Sequence, residues 1–277
     1  MAGRDSPGND LGRMLRIERR SESEFTATLE NYFGAAQQYD LLARAVLAAS
    51  ETAGKLPLVH LQAAYLRPTP FDVDLRLSVE PVDDGPNLAL RRVRVAGDAL
   101  FAEVTASFAA SGTGPDWGPG LPDGLPAPED LPSTLEVARR EGWADYAAGP
   151  LEFRRVNPVW PPPPEERLSP HREWLRPRVP LPPDPRVHAA ALAFASQFYS
   201  QWEFEWRAGP GFAHDRFTIF DHSVWIHEPA RWDDWWLLDA VCEVSRGGRA
   251  LGQRRIFARD GRLLASVAHA GRVATRA

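Results

Sequence analysis

The stretch Phe-Asp-His-Ser-Val-Trp-Ile-His-Glu-Pro, residues 220–229, puts Asp221, His222 and His227 close together. Carboxylates and imidazoles at such spacing suit proton transfer, because imidazole titrates near neutrality and a carboxylate can orient it. They also suit a metal, provided that the side chains converge on one point. If the stretch is a strand, alternate residues share a face: Ile219, Asp221, Ser223, Trp225 and His227 point one way, and His222, Val224 and Ile226 the other. The two histidines then diverge, and the chain's single cysteine, Cys242, cannot supply the thiolates of a Cys-based zinc site. Neither a metal nor a cofactor is expected, and Cys242 reads as a small buried apolar residue. Asp221 and His222 read as polar groups satisfied at a buried strand start. His269 is the residue type best matched to proton transfer, and Asp221, as a second acid–base candidate, could pair with it.

Such residues need a scaffold, and composition bounds it. A chain of 277 residues, 44% hydrophobic and 25% charged, can bury a large core as one large domain or two ordinary ones. The formal net charge is −5 and Lys and Arg are spread along the chain, so no nucleic-acid footprint is present. No run approaches the roughly 18 apolar residues of a membrane helix, and residues 1–20 are polar where a signal peptide would be apolar. The expectation is a cytoplasmic protein with a poorly ordered segment 1–20 and a small-molecule partner.

The chain repeats. Residues 91–108 and 254–271 both begin Arg-Arg and read as strand, Gly-containing turn, strand; Arg92 to Val104 and Arg255 to Val267 each span 12 positions, an offset of 163. His60 and His222 are offset by 162, and Pro68 and Pro229 by 161. Near-constant offsets indicate one duplicated αβ module. Each copy carries a helix rich in small residues, over 33–50 and over 184–198, the second with Asp184 as N-cap and Pro185 at the first helical position. Small residues let a curved antiparallel sheet wrap a helix closely. Residues 21–110 form the first module and 149–277 the second, joined by a Pro/Gly-rich linker over 111–148. A Pro-rich excursion over 158–170 reads as a spacer with the composition of an SH3-type ligand. Alternation in Gln-Trp-Glu-Phe-Glu-Trp, 201–206, predicts a strand, and Trp232, Trp235 and Trp236 read as core packing or as the lining of a cavity.

A duplicated unit of one long helix and an antiparallel sheet is the hotdog arrangement. The motifs Val-His-Leu-Gln-Ala-Ala-Tyr-Leu-Arg-Pro (59–68), Arg-Arg-Val (91–93), Thr-Ala-Ser-Phe (105–108), Trp-Leu-Arg (174–176), Asp-His-Ser-Val-Trp-Ile-His-Glu-Pro (221–229) and Asp-Gly-Arg-Leu-Leu-Ala-Ser (260–266) resemble the acyl-CoA thioesterase II family. The resemblance runs from about Phe25 to Val273 and implies an α+β double hotdog, two tandem modules each with a helix wrapped by a sheet. It also implies hydrolysis of acyl-CoA or a carrier-bound thioester, and a homo-oligomer. The family's site uses an Asp near the end of the second helix, a Thr or Ser before the Asp-His strand motif, and a Gln late in the last strand. Carried over, these fall on Gln197, Ile219 and His269, so all three differ. Gln197 holds water or a carbonyl but cannot act as a base, Ile219 offers no hydrogen bond, and His269 becomes the expected base. Ile219, Tyr199 and Trp225 are the expected substrate contacts, and Arg67, Arg176 and Arg246 the candidates for coenzyme A phosphates. The alternatives are non-hydrolytic chemistry in the same pocket, such as dehydration or cyclisation of a polyketide-like substrate, and a non-catalytic module that binds an acyl ligand.

Overall fold

The computed structural model describes residues 10–29, 38–70, 72–141, 149–157, 162–209, 217–229 and 231–273. In the first half, β1 (Glu18–Arg19), β2 (Glu24–Leu29), β3 (Leu58–Tyr65), β4 (Val73–Asp84), β5 (Leu88–Ala96) and β6 (Leu100–Ala109) pair in the order β1-β2-β4-β5-β6-β3. In the second, β7 (Leu151–Arg155), β8 (His171–Pro177), β9 (Phe217–Ile226), β10 (Trp236–Arg246), β11 (Arg249–Ala258) and β12 (Leu263–Val273) pair as β7-β8-β10-β11-β12-β9. The two orders are the same under renumbering, which is the duplication written in topology. Strands β3 and β9 pair antiparallel, with Gln62 opposite Ser223, and join the halves into one 12-stranded antiparallel sheet.

A four-residue helix α1 (Leu11–Met14) precedes the first strand. Two helices of 13 residues then occupy the inner face, α2 (Gln38–Ser50) and, beyond α3 (Thr134–Glu141), α4 (Pro185–Gln197). They pack directly on one another. Ala43, Ala45, Ala48 and Ala49 of α2 and Ala190, Ala191, Ala193 and Ala195 of α4 are all buried, and the absence of bulk there is what lets two helices share one concave sheet. Asp184 caps α4 by accepting from Arg186 N, with Pro185 at the first position, as the sequence predicts. Residues 33–37 of the expected first helix lie outside the described residues.

Two expectations are corrected. Residues 201–206 are not a strand but the start of α5 (Trp202–Ala208). Trp202, Glu203, Phe204, Glu205 and Trp206 are all buried, so apolar residues are needed on every side and alternation carries no strand signal. The expected linker 111–148 carries structure in its described residues, 111–141. Ser133 and Glu136 form a reciprocal capping box, Glu136 N donating to Ser133 Oγ (3.2 Å) and Ser133 N to Glu136 Oε2 (2.7 Å), and it starts α3. Leu121, Leu125 and Leu131 pack on Trp174, Trp235, Leu237 and Phe257 of the second half. The tryptophans of 232–236 serve packing: Trp232 and Trp236 stack at 4.3 Å, and Trp235 lies beneath the guanidinium groups of Arg154 and Arg176.

Candidate active site

Helix α4 stops at Gln197 because Phe198 turns extended and Tyr199 adopts φ 46°, a left-handed conformation uncommon for a residue with a side chain. Tyr199 is held there by stacking on Trp202 at 4.5 Å, so the strained turn and α5 brace one another. The turn leaves Gln197, 2% exposed, pointing into the interior. Tyr65, on the inner face at the end of β3, donates its hydroxyl to Gln197 Oε1. Burial drives the Tyr65 phenol pKa far upward, so the hydroxyl stays protonated and keeps donating. With the oxygen of Gln197 taken, its NH2 end is the free donor; no acceptor meets it among the described residues. Tyr65 OH also lies 3.5 Å from the carbonyl of Gln38, and Gln38 Nε2 donates to the Ile219 carbonyl at 3.5 Å. The described part of α2 therefore begins beside the last residue of α4.

His269 occupies a second cluster on the same inner face. Its Nε2 is 2.6 Å from Glu203 Oε1 of α5. Arg254 of β11 meets Glu203 through Nε (3.0 Å) and Nη2 (2.6 Å), and its Nη1 donates to the carbonyls of Ser196 (3.1 Å) and Phe198 (2.9 Å), which bracket Gln197. Burial alone would raise the Glu203 carboxyl, but Arg254 and His269 hold it at about 2. The His222 ring lies 5.7 Å from that of His269, and its Nε2 is 2.9 Å from Ser196 Oγ. Because Ser196 Oγ donates to the Ala193 carbonyl, it accepts from His222, which places the His222 proton on Nε2. Burial, with the positive charge of Arg254 nearby, keeps His222 neutral. His269 Nδ1 is buried with no hydrogen-bond partner among the described residues, and Nε2 meets Glu203 as an ion-pair contact outside hydrogen-bonding geometry. Gly252, paired with His269 across β11 and β12, makes the room: a Cβ there would lie 2.5 Å from His269 Nε2 and 2.9 Å from Glu203 Oε1.

The expected residues thus separate. Gln197 and His269 both face the interior, and Arg254 links the backbone around the first to the carboxylate beside the second. Asp221 does not pair with His269. It pairs across the sheet with Ala270 while Ile219 pairs with Gly271, so Phe220 is an extra residue on β9, a bulge that turns Ile219 inward to join His222. Ile219 is 4% exposed and Phe220 41%. Asp221 stays on the outer side and accepts from Gln62 Nε2 at 2.7 Å. Trp225 is also outward, 46% exposed beside His60, away from the helices and Gln197. His227, with Nε2 2.9 Å from Ser266 Oγ, faces away from His222, as strand alternation requires. Of the candidate arginines, Arg176 is committed to Glu152 and to the Trp235 ring, and Arg67 donates to the Leu100 carbonyl. Sequence reasoning missed Tyr65, Glu203 and Arg254. A strand reading of 201–206 hid Glu203, and Tyr65 could be found only by noticing a hydroxyl at an inner-face position of β3.

Comparison with known proteins agrees with this architecture. Residues 122–273, more than half of the chain, match the Acyl-CoA thioesterase C-terminal domain, and residues 39–109 match the Acyl-CoA thioesterase N-terminal domain. The chain is 26% identical to Acyl-CoA thioesterase 2 of Haemophilus influenzae, across 95% of this chain and 96% of that protein. Among solved structures it is similar to the tesB protein of Mycobacterium avium subs paratuberculosis, with a TM-score of 0.80, 25% identity and coverage of 98% and 100% of the two chains. A hotdog-fold protein of Alicyclobacillus acidocaldarius, 14% identical, superposes with a TM-score of 0.73 over 96% and 98% of the two chains. The fold is a double hotdog of class α+β.

Proposed function

Since the chain belongs to the acyl-CoA thioesterase family, specifically acyl-CoA thioesterase II, we propose that it hydrolyses an acyl thioester in the space bounded by Gln197, Ile219 and His269. Hydrolysis adds water to the thioester carbonyl and expels the thiol, so the site must stabilise a developing oxyanion and accept a proton. Gln197 supplies the first need. Its amide oxygen is held by Tyr65, and that observation carries the reading, because it leaves the NH2 end to donate to the carbonyl oxygen or to the attacking water. A backbone N–H near a helix end adds a second donor. His269 supplies the second need: Glu203 fixes Nε2, and the unpartnered Nδ1 accepts the proton, as in other carboxylate–imidazole pairs. Ile219 and Tyr199 contact the acyl chain. In this reading the protein works in the cytoplasm as a homo-oligomer, on a small molecule and without a cofactor; among the described residues no helix is long and apolar enough to cross a membrane.

A second reading is favoured by Ile219. A buried aliphatic residue where the family has a hydroxyl offers nothing to hold water, while His269 keeps its capacity for proton transfer. That combination suits dehydration or cyclisation of a bound acyl chain. One experiment separates the readings: free-thiol release from short, medium and long acyl-CoAs by the native protein, Gln197→Ala and His269→Ala. Release that needs both residues supports hydrolysis. No release from any chain length by the native protein excludes it and leaves the second reading.

A further inference from the structure

Strands β10, β11 and β12 run in register to one end of the sheet, where Arg246 stands opposite Arg249 and Arg249 opposite Arg272. Residues directly opposite on antiparallel strands share a face, with Cβ atoms about 5 Å apart. The three arginines therefore form one row on the outer face, and all three are exposed. Gly247 and Gly248, at φ 59° and 70°, close β10 on β11 in a two-residue turn, and Val273 N donates to the Gly248 carbonyl at 2.9 Å, so the register is held to the sheet's end. Like charges directly opposite one another are destabilising. Among the described residues no carboxylate lies within ion-pair distance of any of the three, and none of them donates a side-chain hydrogen bond. The duplicated fold does not demand this charge: the β4–β5 connection of the first copy reads Asp83-Asp84-Gly85-Pro86-Asn87-Leu88 and carries no cation. The next row on the same face is apolar, with Val244, 46% exposed, opposite Leu251 and Leu251 opposite Ala270; it continues to Asp221, which is already engaged by Gln62. Guanidinium groups pair with phosphate oxygens through parallel hydrogen bonds, and a flat aromatic base can lie on an aliphatic shelf.

We propose that this corner of the sheet binds a nucleotide, with Arg246, Arg249 and Arg272 holding its phosphates while the base lies on Val244 and Leu251. A free nucleoside diphosphate and the nucleotide end of coenzyme A share that chemistry. The row lies across the sheet from His269, so the site does not depend on turnover at Gln197, and a chain that hydrolysed nothing would still bind here.

Calorimetric titration of the full chain with ADP, and separately with coenzyme A, tests this without any turnover. Saturable binding is expected. Arg249→Ala, which removes the middle guanidinium, weakens it by at least about tenfold, and Val244→Asp, which sets a carboxylate beside the phosphates, does the same. Arg255→Ala, six residues along β11 on the same face, leaves it unchanged. Weakening of both probes by Arg249→Ala supports a site open to either source; weakening of ADP alone identifies free nucleotides, and of coenzyme A alone, coenzyme A. Absence of binding by both probes, or binding of both unchanged in Arg249→Ala, overturns the proposal. Equal weakening by Arg255→Ala overturns it too, because general surface charge would then account for the binding.

Discussion

A glutamine cannot take a proton from water near neutral pH, so in the proposed hydrolysis Gln197 at the end of α4 is no base. What remains to it is donation, and Tyr65 makes donation directional. Gln197→Ala is therefore expected to lower kcat for thiol release by about 100-fold, the loss typical of a preorganised oxyanion donor, with KM little changed. Tyr65→Phe keeps the amide but frees it to rotate, and a fall in kcat of about tenfold is expected, the worth of one hydrogen bond. Equal activity of Tyr65→Phe and native protein would show that Gln197 needs no such anchor. Gln197 and His269 could be singled out from the sequence because the motifs around them are contiguous, and both are buried on the inner face. Tyr65 could not be singled out, since its partner lies 132 residues away and only the α4–β3 approach brings them together.

At the scale of elements, α5 does more than cover the sheet: it delivers Glu203 to Arg254 and His269 in a space that excludes water. Breaking a buried ion pair leaves an uncompensated charge, so Glu203→Gln is expected to cost about 3–5 kcal/mol in denaturant unfolding. Glu203→Gln with Arg254→Met should cost less than Glu203→Gln alone, because the orphaned charge is gone. Gly252→Ala is expected to lose about 1–3 kcal/mol, since its methyl would press on both His269 and Glu203. These elements were the least legible part of the chain. A helix buried on every side shows no period, which is why 201–206 read as a strand, and a one-residue bulge in β9 reverses the facing that strict alternation assigns to Ile219. The capping box at Ser133 and Glu136 was readable in principle, but the surrounding prolines masked it. By contrast α4 was legible to its first residue, because Asp-Pro encodes a helix start locally.

The whole molecule carries an unusual load of buried ionisable groups in its second half, and stability should follow pH accordingly. Burial pushes the Glu173 carboxyl up to about 7 from 4.5 and the adjacent His171 imidazole down to about 3 from 6.5. For Glu173 the stabilising form is protonated, so its contribution is full below 4.5 and is lost as pH rises toward 7, a change of about 3 kcal/mol. For His171 the stabilising form is neutral, so its contribution is full above 6.5 and falls as pH drops toward 3. Glu203, held at about 2 rather than 4.5, also loses its share as pH falls below 4.5. Denaturant titrations across pH are thus expected to show stability rising to about pH 6.5, the loss at Glu173 offsetting only part of the gain at His171 and His222, and Glu173→Gln should steepen the rise between pH 4.5 and 6.5. A native profile as steep as that of Glu173→Gln between pH 4.5 and 6.5 would contradict this. At this scale the duplication was plain in the sequence, whereas the joining of the copies edge to edge was not, since strand pairing leaves no periodic mark. That seam has its own consequence. Apart from its partner, each half would present β3 or β9 as a bare edge of unsatisfied N–H and C=O groups. Nicking the backbone within 111–120 should therefore leave two fragments that stay bound, and either fragment made alone should couple to a copy of itself, reconstituting as a homodimer what the gene now encodes in one piece.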